Sequence, residues 1–254
     1  MSSAHGNAGS VGGESTALAT SVVMPAYDEL MNLTWLLPRV HQALRDAHAV
    51  PGEVLVILPG FADDAEIDAI TALGGRVVIR EPSNSFGDAI RSGLAAVSPD
   101  SRFVVVMDAD GSHSPETIPR LLAAPSDVDV VVASRYVTGG STENSFTLRA
   151  MSRALNLAYG LVLGIKCRDV STNFKRYRAD DVRDAALSGR DFDVVEELFL
   201  RVKLRHGSDF RILEIPDHFA ERKAGSTKRQ LGPFIVSYLT SLARLRWHVS
   251  RHRW

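Results

Sequence analysis

The sequence predicts an α/β protein whose mostly parallel sheet is covered by helices on both faces. Short runs of apolar, largely β-branched residues alternate along the chain with longer stretches whose apolar residues recur every three or four positions. The apolar runs are continuous, as is typical of strands that are buried on both faces. With 254 residues, of which 45% are hydrophobic, the chain is long enough to build one such domain around a substantial core.

Each predicted strand in the first half is a short apolar run that a helical stretch follows. The run SVVM at 21–24 comes first, and the stretch after it, 29–49, carries leucines and a valine at helical spacing. The runs VLVIL at 54–58 and FVVVM at 103–107 have the same character. The predicted strands are 21–24, 54–58, 76–79, 103–107 and 128–133, and the predicted helices are 29–49, 63–73, 86–97 and 115–123.

The second half has a looser pattern. We expect helices at 145–163, 179–187 and 193–206, a loop at 166–177 and a late strand at 210–215. The first twenty residues are rich in Ser, Gly and Ala and contain no Lys or Arg, which favours a disordered leader over a signal or transit peptide. The predicted organisation is a leader over 1–20, one domain over 21–230 and a basic amphipathic helix over 231–254.

Composition excludes several classes of protein. Lys and Arg number 29 and Asp and Glu number 30, so the formal net charge of −1 argues against a nucleic-acid-binding protein. The single cysteine, Cys167, excludes an intrachain disulfide framework and a cysteine-rich zinc site. The longest apolar stretch, 157–165, is about half of the ~20 residues that a membrane-spanning helix needs.

The near-neutral total hides a basic C-terminal end. Residues 222–254 contain eight Lys or Arg and no Asp or Glu. Apolar residues recur there at helical spacing, which leaves two interpretations open. The segment either lies on a membrane surface as a basic amphipathic helix, or packs its apolar stripe on the domain and exposes its arginines to water. The apolar residues are Leu231, Phe234, Ile235, Tyr238, Leu242, Leu245 and Val249.

Two carboxylates emerge from the end of the fourth predicted strand, at Asp108 and Asp110. Like charges at this spacing repel each other unless a cation neutralises them. A hard divalent ion such as Mg²⁺ or Mn²⁺ accepts oxygen ligands and keeps positions for phosphate oxygens. In a parallel sheet, ligands bind at the carboxyl ends of the strands, which favours a metal site here over a solvated turn.

Other polar residues also follow predicted strands. Glu29 comes soon after the first strand, where either helix capping or ligand binding explains an acidic residue. Arg135 follows the fifth strand and Arg149 lies near a helix start. Arg222, Lys223 and Lys228 follow the late strand. Arginine suits phosphate because its guanidinium forms a bidentate fork, so the basic residues together indicate an anionic ligand.

Five motifs, in order from about residue 21 to 228, resemble those of family-2 glycosyltransferases of the GT-A fold. The first resembles the family's opening, P-x-Y-N-E-x-x-N-L. The other four resemble patterns of its dolichol-phosphate and polyprenol-phosphate mannosyltransferases, which are D-A-D-x-S-H-x-P, S-R-Y-x-x-G-G, D-x-T-x-x-F-R-x-Y and R-x-x-G-x-S-K. The corresponding segments here are PAYDELMNL at 25–33, DADGSHSP at 108–115, SRYVTGG at 134–140, DVSTNFKRY at 169–177 and RKAGSTK at 222–228.

The resemblance implies a GT-A-type, Rossmann-like domain and a role for each motif. The nucleotide pocket would be lined by Pro25, Tyr27 and Glu29. The metal ion would be held by Asp108 and Asp110, and the donor diphosphate would lie beside them at Ala109 and Ser112. The acceptor phosphate would meet Arg135, Arg149 and Ser152. The loop over the donor diphosphate would contribute Arg222 and Lys228.

The implied activity is inverting transfer of a hexose, mannose or glucose, from GDP-mannose or a UDP-hexose to a polyprenyl or dolichyl phosphate. Because the acceptor phosphate is already an oxyanion, catalysis needs positioning and charge neutralisation rather than a strong general base. Asp110, Arg135 and Arg149 are the residues expected to carry the reaction, with Mg²⁺ or Mn²⁺ as cofactor. We expect a cytoplasmic protein that associates peripherally with the inner face of the membrane.

One departure from the family pattern concerns the nucleotide. Family members carry an Asp-Asp-Gly-Ser-type stretch after the second strand that reads the base and ribose, whereas Leu58 and Pro59 occupy the acidic positions here. Asp28 in place of Asn is a milder change. Two further hypotheses therefore stay open: a glycosyltransferase with a soluble small-molecule acceptor, and a non-catalytic relative that binds a nucleotide or a partner protein.

Overall fold

A computed structural model of the chain describes residues 18–221, residue 240 and residues 242–247. Its centre is a seven-stranded sheet in the order β3-β2-β1-β4-β7-β5-β8, and β6 and β9 form a separate short ladder. The strands are β1 (Thr20–Pro25), β2 (Gly52–Leu58), β3 (Arg76–Ile79), β4 (Phe103–Val106), β5 (Val130–Ser134), β6 (Ser141–Thr142), β7 (Lys175–Arg178), β8 (Ile212–Pro216) and β9 (His218–Phe219).

Helices cover both faces of this sheet, as the alternating pattern predicts. Val22 and Met24 of β1 face a core cluster that includes the helix Leu30–Asp46, whereas Val23 faces one that includes the helices Phe86–Ala95 and Asp193–His206. The predicted fold class, an α/β domain with a mostly parallel sheet, is confirmed. The helices are α1 (Leu30–Asp46), α2 (Asp64–Ala72), α3 (Phe86–Ala95), α4 (Ile118–Leu122), α5 (Phe146–Leu163), α6 (Ala179–Val182) and α7 (Asp193–His206), with 3-10 turns at Pro115–Thr117 and Gly207–Asp209.

The sheet contains one strand that the sequence does not reveal. We expected a loop over 166–177, but β7 runs through the middle of the sheet and pairs antiparallel with β4 and β5. Its sequence, KRYR, lacks an apolar run, so hydrophobic patterning gives no strand signal. The strand is buried nonetheless, because internal carbonyl oxygens accept hydrogen bonds from the charged ends of Lys175 and Arg176.

Two predicted helices are shorter than the sequence pattern suggests. The stretch predicted as a helix at 179–187 is helical only over Ala179–Val182. The stretch at 115–123 begins as a 3-10 turn, Pro115–Thr117, before α4 continues it. The ladder of β6 and β9 is two residues long on each side, too short to leave a periodic signal.

The strand directions bring the predicted site residues to one edge of the sheet. β1, β2, β4 and β5 belong to the parallel set, so their carboxyl ends meet there. Because β7 is antiparallel, its first residue, Lys175, lies at the same edge and pairs with Val106 and Val132. The loop before β7 therefore arrives among the ends of β4 and β5.

Only part of the predicted C-terminal helix is described. Residues 242–247 are helical, and Leu242 and Leu245 are buried in the same core cluster as α7. Arg244 pairs with Asp193 at the start of α7. For this turn the apolar side packs on the domain, one of the two interpretations that the sequence leaves open. Of the leader predicted over 1–20, residues 1–17 lie outside the described residues, as do residues 222–230.

Candidate active site

The carboxylates of Asp108 and Asp110 follow β4 directly. Asp110 is almost fully buried, and its Oδ1 accepts hydrogen bonds from the backbone N–H of Ser112 at 3.0 Å and from the Ser112 hydroxyl at 2.6 Å. Asp108 is partly exposed, and its Oδ1 accepts a 3.0 Å hydrogen bond from the side-chain amide of Asn173. Between them Ala109 packs into the hydrophobic core, so that it fixes the turn rather than facing solvent.

Gly111 allows the chain to turn sharply after Asp110. Its φ is +78°, a left-handed conformation that costs an L side chain free energy. A Cβ atom here would also lie 2.5 Å from the Trp35 ring of α1. Glycine is thus required twice, once for the backbone conformation and once for the close approach of the indole.

The side chain of His113 packs beneath the turn that carries Asp108 and Asp110 (the acidic turn). Its ring is buried, stacks on Phe174 with 5.0 Å between centroids and meets Phe219 edge-on at 5.4 Å. The backbone N–H of Asp108 donates to Nδ1 at 3.1 Å, so a neutral ring carries its proton on Nε2. Nε2 lies 3.9 Å from Asp108 Oδ2. The sequence motif contains His113, but sequence reasoning gave it no role.

The turn after β1 presents an aromatic side chain to solvent. Tyr27 is 56% exposed and meets Phe61, from the segment after β2, edge-on at 5.6 Å. Asp28 has a φ of +56°, which Asp and Asn both tolerate, so Asp in place of the family's Asn preserves the turn. Pro25, the last residue of β1, is buried behind them.

Glu29 occupies the N-cap position of α1 but makes no capping hydrogen bond with its side chain. Its carboxylate instead accepts a 2.6 Å hydrogen bond from the side-chain amide of Asn32. A side-chain capping hydrogen bond therefore does not explain this acidic residue.

A buried arginine lies where the strand ends of β1, β2 and β3 meet. Arg80 follows β3 and donates to the carbonyl oxygen of Ile57 at 2.9 Å and to that of Ala26. Burial lowers the pKa of its guanidinium. The neighbouring positions Leu58 and Pro59 supply no carboxylate, and the structure shows no ion pair for Arg80 within the residues it describes. Sequence reasoning missed Arg80, because a lone arginine after a short strand carries no motif of its own.

Arg135, which follows β5, is held by a buried carboxylate. Its Nε and Nη2 donate to the two oxygens of Asp169 at 2.8 and 2.6 Å, and its backbone N–H donates to the same group at 2.9 Å. Nη2 also lies 3.2 Å from the Ser171 hydroxyl and 3.5 Å from that of Ser152 on α5. The bidentate geometry fixes the plane of the guanidinium. Arg149, one turn before Ser152, is exposed on α5.

A single loop joins the acidic turn to the clamped arginine. Within residues 169–173, Asp169 and Ser171 bind Arg135, and Asn173 binds Asp108. The Ser171 backbone N–H donates in turn to the side-chain oxygen of Asn156 on α5 at 3.0 Å. The loop belongs to the DVSTNFKRY motif at 169–177, but only the register of β7 shows which residues face which partner.

The donor set suits a hard divalent ion. Asp108 contributes a partly exposed carboxylate and Asn173 an amide beside it, and Asp110 lies two residues on. Oxygen donors of this kind are the ligands that Mg²⁺ and Mn²⁺ prefer. The predicted phosphate-binding residues Arg222 and Lys228 lie outside the described residues.

A second cluster of potential metal ligands lies at the opposite edge of the sheet. Asp129, Asp181 and His206 bring ligand atoms within 4.8 Å of one another. Arg178 pairs with Asp129 at 3.2 Å and Arg205 with Asp181 at 3.4 Å, so cations of the protein already neutralise these carboxylates. The cluster is an ion-pair network, separate from the site after β4.

Comparison with known proteins places the chain among carbohydrate-transferring proteins. Residues 21–199 match the profile described as Glycosyl transferase family 2. Undecaprenyl-phosphate mannosyltransferase of Micrococcus luteus is 31% identical over 243 residues, which is 91% of this chain and 97% of that protein. Polyprenol monophosphomannose synthase of Mycolicibacterium smegmatis is 30% identical over 227 residues, 82% of this chain and 80% of that protein.

Solved structures share the same fold. The crystal structure of glucosyl-3-phosphoglycerate synthase from M. tuberculosis superposes with a TM-score of 0.63 at 23% identity, covering 89% of this chain and 79% of that one. Another crystal structure of that synthase, in complex with Mg²⁺ and UDP, gives a TM-score of 0.63 at 22% identity and covers the same shares of the two chains. At this level of identity the likeness concerns the fold alone.

Proposed function

The chain belongs to glycosyl transferase family 2, and from this membership we propose that it moves a hexose, with inversion and with a divalent metal, from a nucleotide sugar to a polyprenyl phosphate. The observation that carries the proposal is the 169–173 loop, which joins the acidic turn at Asp108 and Asp110 to the clamped Arg135. The two mannosyltransferase relatives, at 30 and 31% identity over most of the chain, support both the acceptor class and mannose as the sugar.

The donor would lie over the ends of β1, β2 and β4. Tyr27 offers an exposed aromatic ring to the nucleoside, with Pro25 and Glu29 beneath it. Asp108 and Asp110 would hold Mg²⁺ or Mn²⁺, which supplies positive charge to the leaving diphosphate, and Ser112 supports Asp110. We also assign Arg222 and Lys228 to this diphosphate, because they fall in a motif that resembles the family's phosphate-binding loop.

The residues at and after the end of β2 bear on which nucleotide sugar is the donor, GDP-mannose or a UDP-hexose. Guanine presents N–H donors on its pairing edge and needs acceptors opposite them. Leu58 and Pro59 offer no side-chain acceptor, and Arg80 is a donor only. A panel of nucleotide sugars therefore belongs in the first experiment.

The acceptor phosphate would bind beside Arg135. Its guanidinium is oriented before substrate arrives, so little conformational entropy is lost on binding. Ser152 on α5 lies 3.5 Å from it, and the exposed Arg149 is one turn earlier on the same helix. An acceptor oxyanion positioned here attacks the sugar carbon without a general base, so the enzyme's contribution is orientation and charge neutralisation.

A lipid acceptor calls for contact with a membrane surface. No helix among the described residues is long and apolar enough to span a bilayer. On α5, however, Phe146, Leu157 and Leu161 are 77, 63 and 76% exposed. The stretch 146–168 contains four Lys or Arg and no Asp or Glu, which suits an anionic lipid surface. We propose that this face and the basic end at 222–254 dock the protein peripherally on the cytoplasmic side of the membrane.

The test is transfer of labelled sugar. The protein is incubated with GDP-mannose, UDP-glucose and related donors, Mg²⁺ or Mn²⁺, and either undecaprenyl phosphate or soluble phosphorylated acceptors. The proposal expects metal-dependent label in the lipid phase. Label only on a soluble acceptor would move the protein to the second hypothesis, and binding of nucleotide with no transfer to any acceptor would make it a non-catalytic relative.

A further inference from the structure

Lys175 is a fully buried cation at the active-site edge of the sheet. It is the first residue of β7, and its ammonium donates to the carbonyl oxygen of Val170 at 2.9 Å and to that of Thr172. The ammonium also lies 5.7 Å from the centroid of the Phe199 ring on α7. Lys175 belongs to β7 and both of its hydrogen bonds go to the backbone of the 169–173 loop, so this side chain connects the loop to the sheet.

The tied loop is the one that holds the two halves of the candidate site. The carbonyls that Lys175 binds, at Val170 and Thr172, alternate with the residues whose side chains reach the site. Asp169 orients Arg135, and Asn173 binds Asp108. A shift of this loop would therefore move Arg135 and Asp108 relative to each other. In group transfer, a misplacement of about 1 Å can cost roughly 100-fold in rate.

Glu196 on α7 is a buried acidic residue whose pKa is affected by the charge of Lys175. It is fully buried, and neither of its oxygens has a hydrogen-bond partner within the described residues. Burial raises the pKa of Glu196, and the nearby positive charge of Lys175 opposes that rise. Burial likewise lowers the pKa of Lys175, while the charge of Glu196 helps to keep the ammonium protonated. Burial is the larger effect on both groups, so the pKa of each is shifted towards its neutral form, and the opposite charges reduce both shifts.

We propose that Lys175 is a positioning residue: its ammonium fixes the 169–173 loop and thereby sets the relative placement of Asp108 and Arg135. This role rests on the glycosyl transfer proposed above. Nothing in it requires Lys175 to touch a substrate, since its hydrogen bonds go to the loop backbone.

A matched control lies one residue further along the same strand. Arg176 is also fully buried, but its guanidinium donates to the carbonyl oxygens of Ala124 and Val128, before β5. Replacing it removes a buried cation from β7 without touching the 169–173 loop. Arg176→Met therefore reports what loss of a buried cation does to the fold alone.

The experiment compares Lys175→Met, the double variant Lys175→Met/Glu196→Gln, Lys175→Arg and Arg176→Met. Because the double variant replaces both Lys175 and Glu196, neither is left as a lone buried charge that would destabilise the fold. We expect the double variant to melt close to the wild type yet to lose about 10- to 100-fold in kcat. Lys175→Arg keeps a cationic donor, so its kcat should lie within about threefold of the wild-type value. Arg176→Met should keep the wild-type kcat even if its Tm falls.

Amide hydrogen exchange of the peptide around 169–174 gives a readout that does not depend on transfer. The Ser171 amide, bonded to Asn156, should exchange at least about 10-fold faster in the double variant and unchanged in Arg176→Met. Unchanged exchange, or a kcat that recovers together with Tm in the double variant, would overturn the proposal. If the wild type transfers no sugar, the proposed function fails, and the exchange rates still decide whether Lys175 fixes the loop.

Discussion

Asp169 holds Arg135 through a bidentate pair, with its two carboxylate oxygens 2.6 and 2.8 Å from Nη2 and Nε. The carboxylate is fully buried and the arginine side chain is 9% exposed. A guanidinium held in this way is not free to change its orientation when a ligand approaches. The acceptor phosphate would therefore meet a cation whose position the fold has already set.

Arg135→Lys should lower transfer although it keeps the positive charge. A lysine ammonium cannot form the planar fork with Asp169, so the cation is no longer oriented. We expect kcat/KM for the lipid acceptor to fall about 10- to 100-fold. The measurement is initial rate against acceptor concentration. Arg39→Lys, at an exposed pair with Glu116, is the control and should leave the rate unchanged. If Arg135→Lys has the wild-type KM for the acceptor, Arg135 does not bind the acceptor phosphate.

Asn173→Ala should weaken metal-dependent nucleotide binding. It removes the 3.0 Å hydrogen bond that orients the Asp108 carboxylate, while the carboxylate itself remains. We expect the dissociation constant for a nucleoside diphosphate with Mn²⁺ to rise about 10- to 100-fold, as is typical when a group that orients a metal ligand is lost. Calorimetry with and without Mn²⁺ measures it. An equal loss in the absence of metal would mean that Asn173 supports the fold rather than Asp108.

Gly111→Ala should destabilise the protein more than Gly207→Ala. Both glycines have positive φ, +78° and +57°, so both substitutions strain the backbone. Only at Gly111 would the new Cβ also meet Trp35, at 2.5 Å, whereas nothing lies within 4 Å of it at Gly207. Thermal melting should show about 1–3 kcal/mol of additional loss for Gly111→Ala. Equal losses of stability at the two sites would mean that the Trp35 ring moves aside without destabilising the protein.

Leu157→Ser/Leu161→Ser should reduce binding to anionic vesicles. These leucines are exposed on α5, and their loss removes apolar area without changing charge. We expect co-sedimentation with vesicles containing phosphatidylglycerol to drop about 10-fold or more, given the free energy of burying a leucine. Leu204→Ser on α7, which is 37% exposed, is the control. Full vesicle binding by the double variant would place the membrane contact elsewhere, with the 222–254 segment as the next region to test.

The acidic turn could be predicted from the sequence because it is local. Asp108, Asp110 and Gly111 lie within four residues at the end of an apolar strand, and the parallel pattern fixes which edge of the sheet they occupy. The partners of Arg135 and Asp108 could not be predicted in the same way. Asp169 lies 34 residues from Arg135, and Asn173 lies 65 residues from Asp108.

Those partners depend on β7, whose charged sequence hides it from hydrophobic patterning. The same property that concealed the strand explains its place in the site. Lys175 and Arg176 are buried because each binds carbonyl oxygens inside the protein. A pattern that counts apolar residues cannot detect a strand whose buried side chains are charged.

The most direct test of the central claim is single-turnover transfer of hexose to undecaprenyl phosphate by the wild type and by Asp110→Asn. Asp110 is buried beside Ser112, and asparagine is close in size, so the variant should fold and melt near the wild type. The account predicts metal-dependent transfer by the wild type and a loss of about 1,000-fold or more in Asp110→Asn, since the metal and diphosphate would lose a charged ligand. Transfer by a folded Asp110→Asn enzyme at a rate near that of the wild type would contradict it.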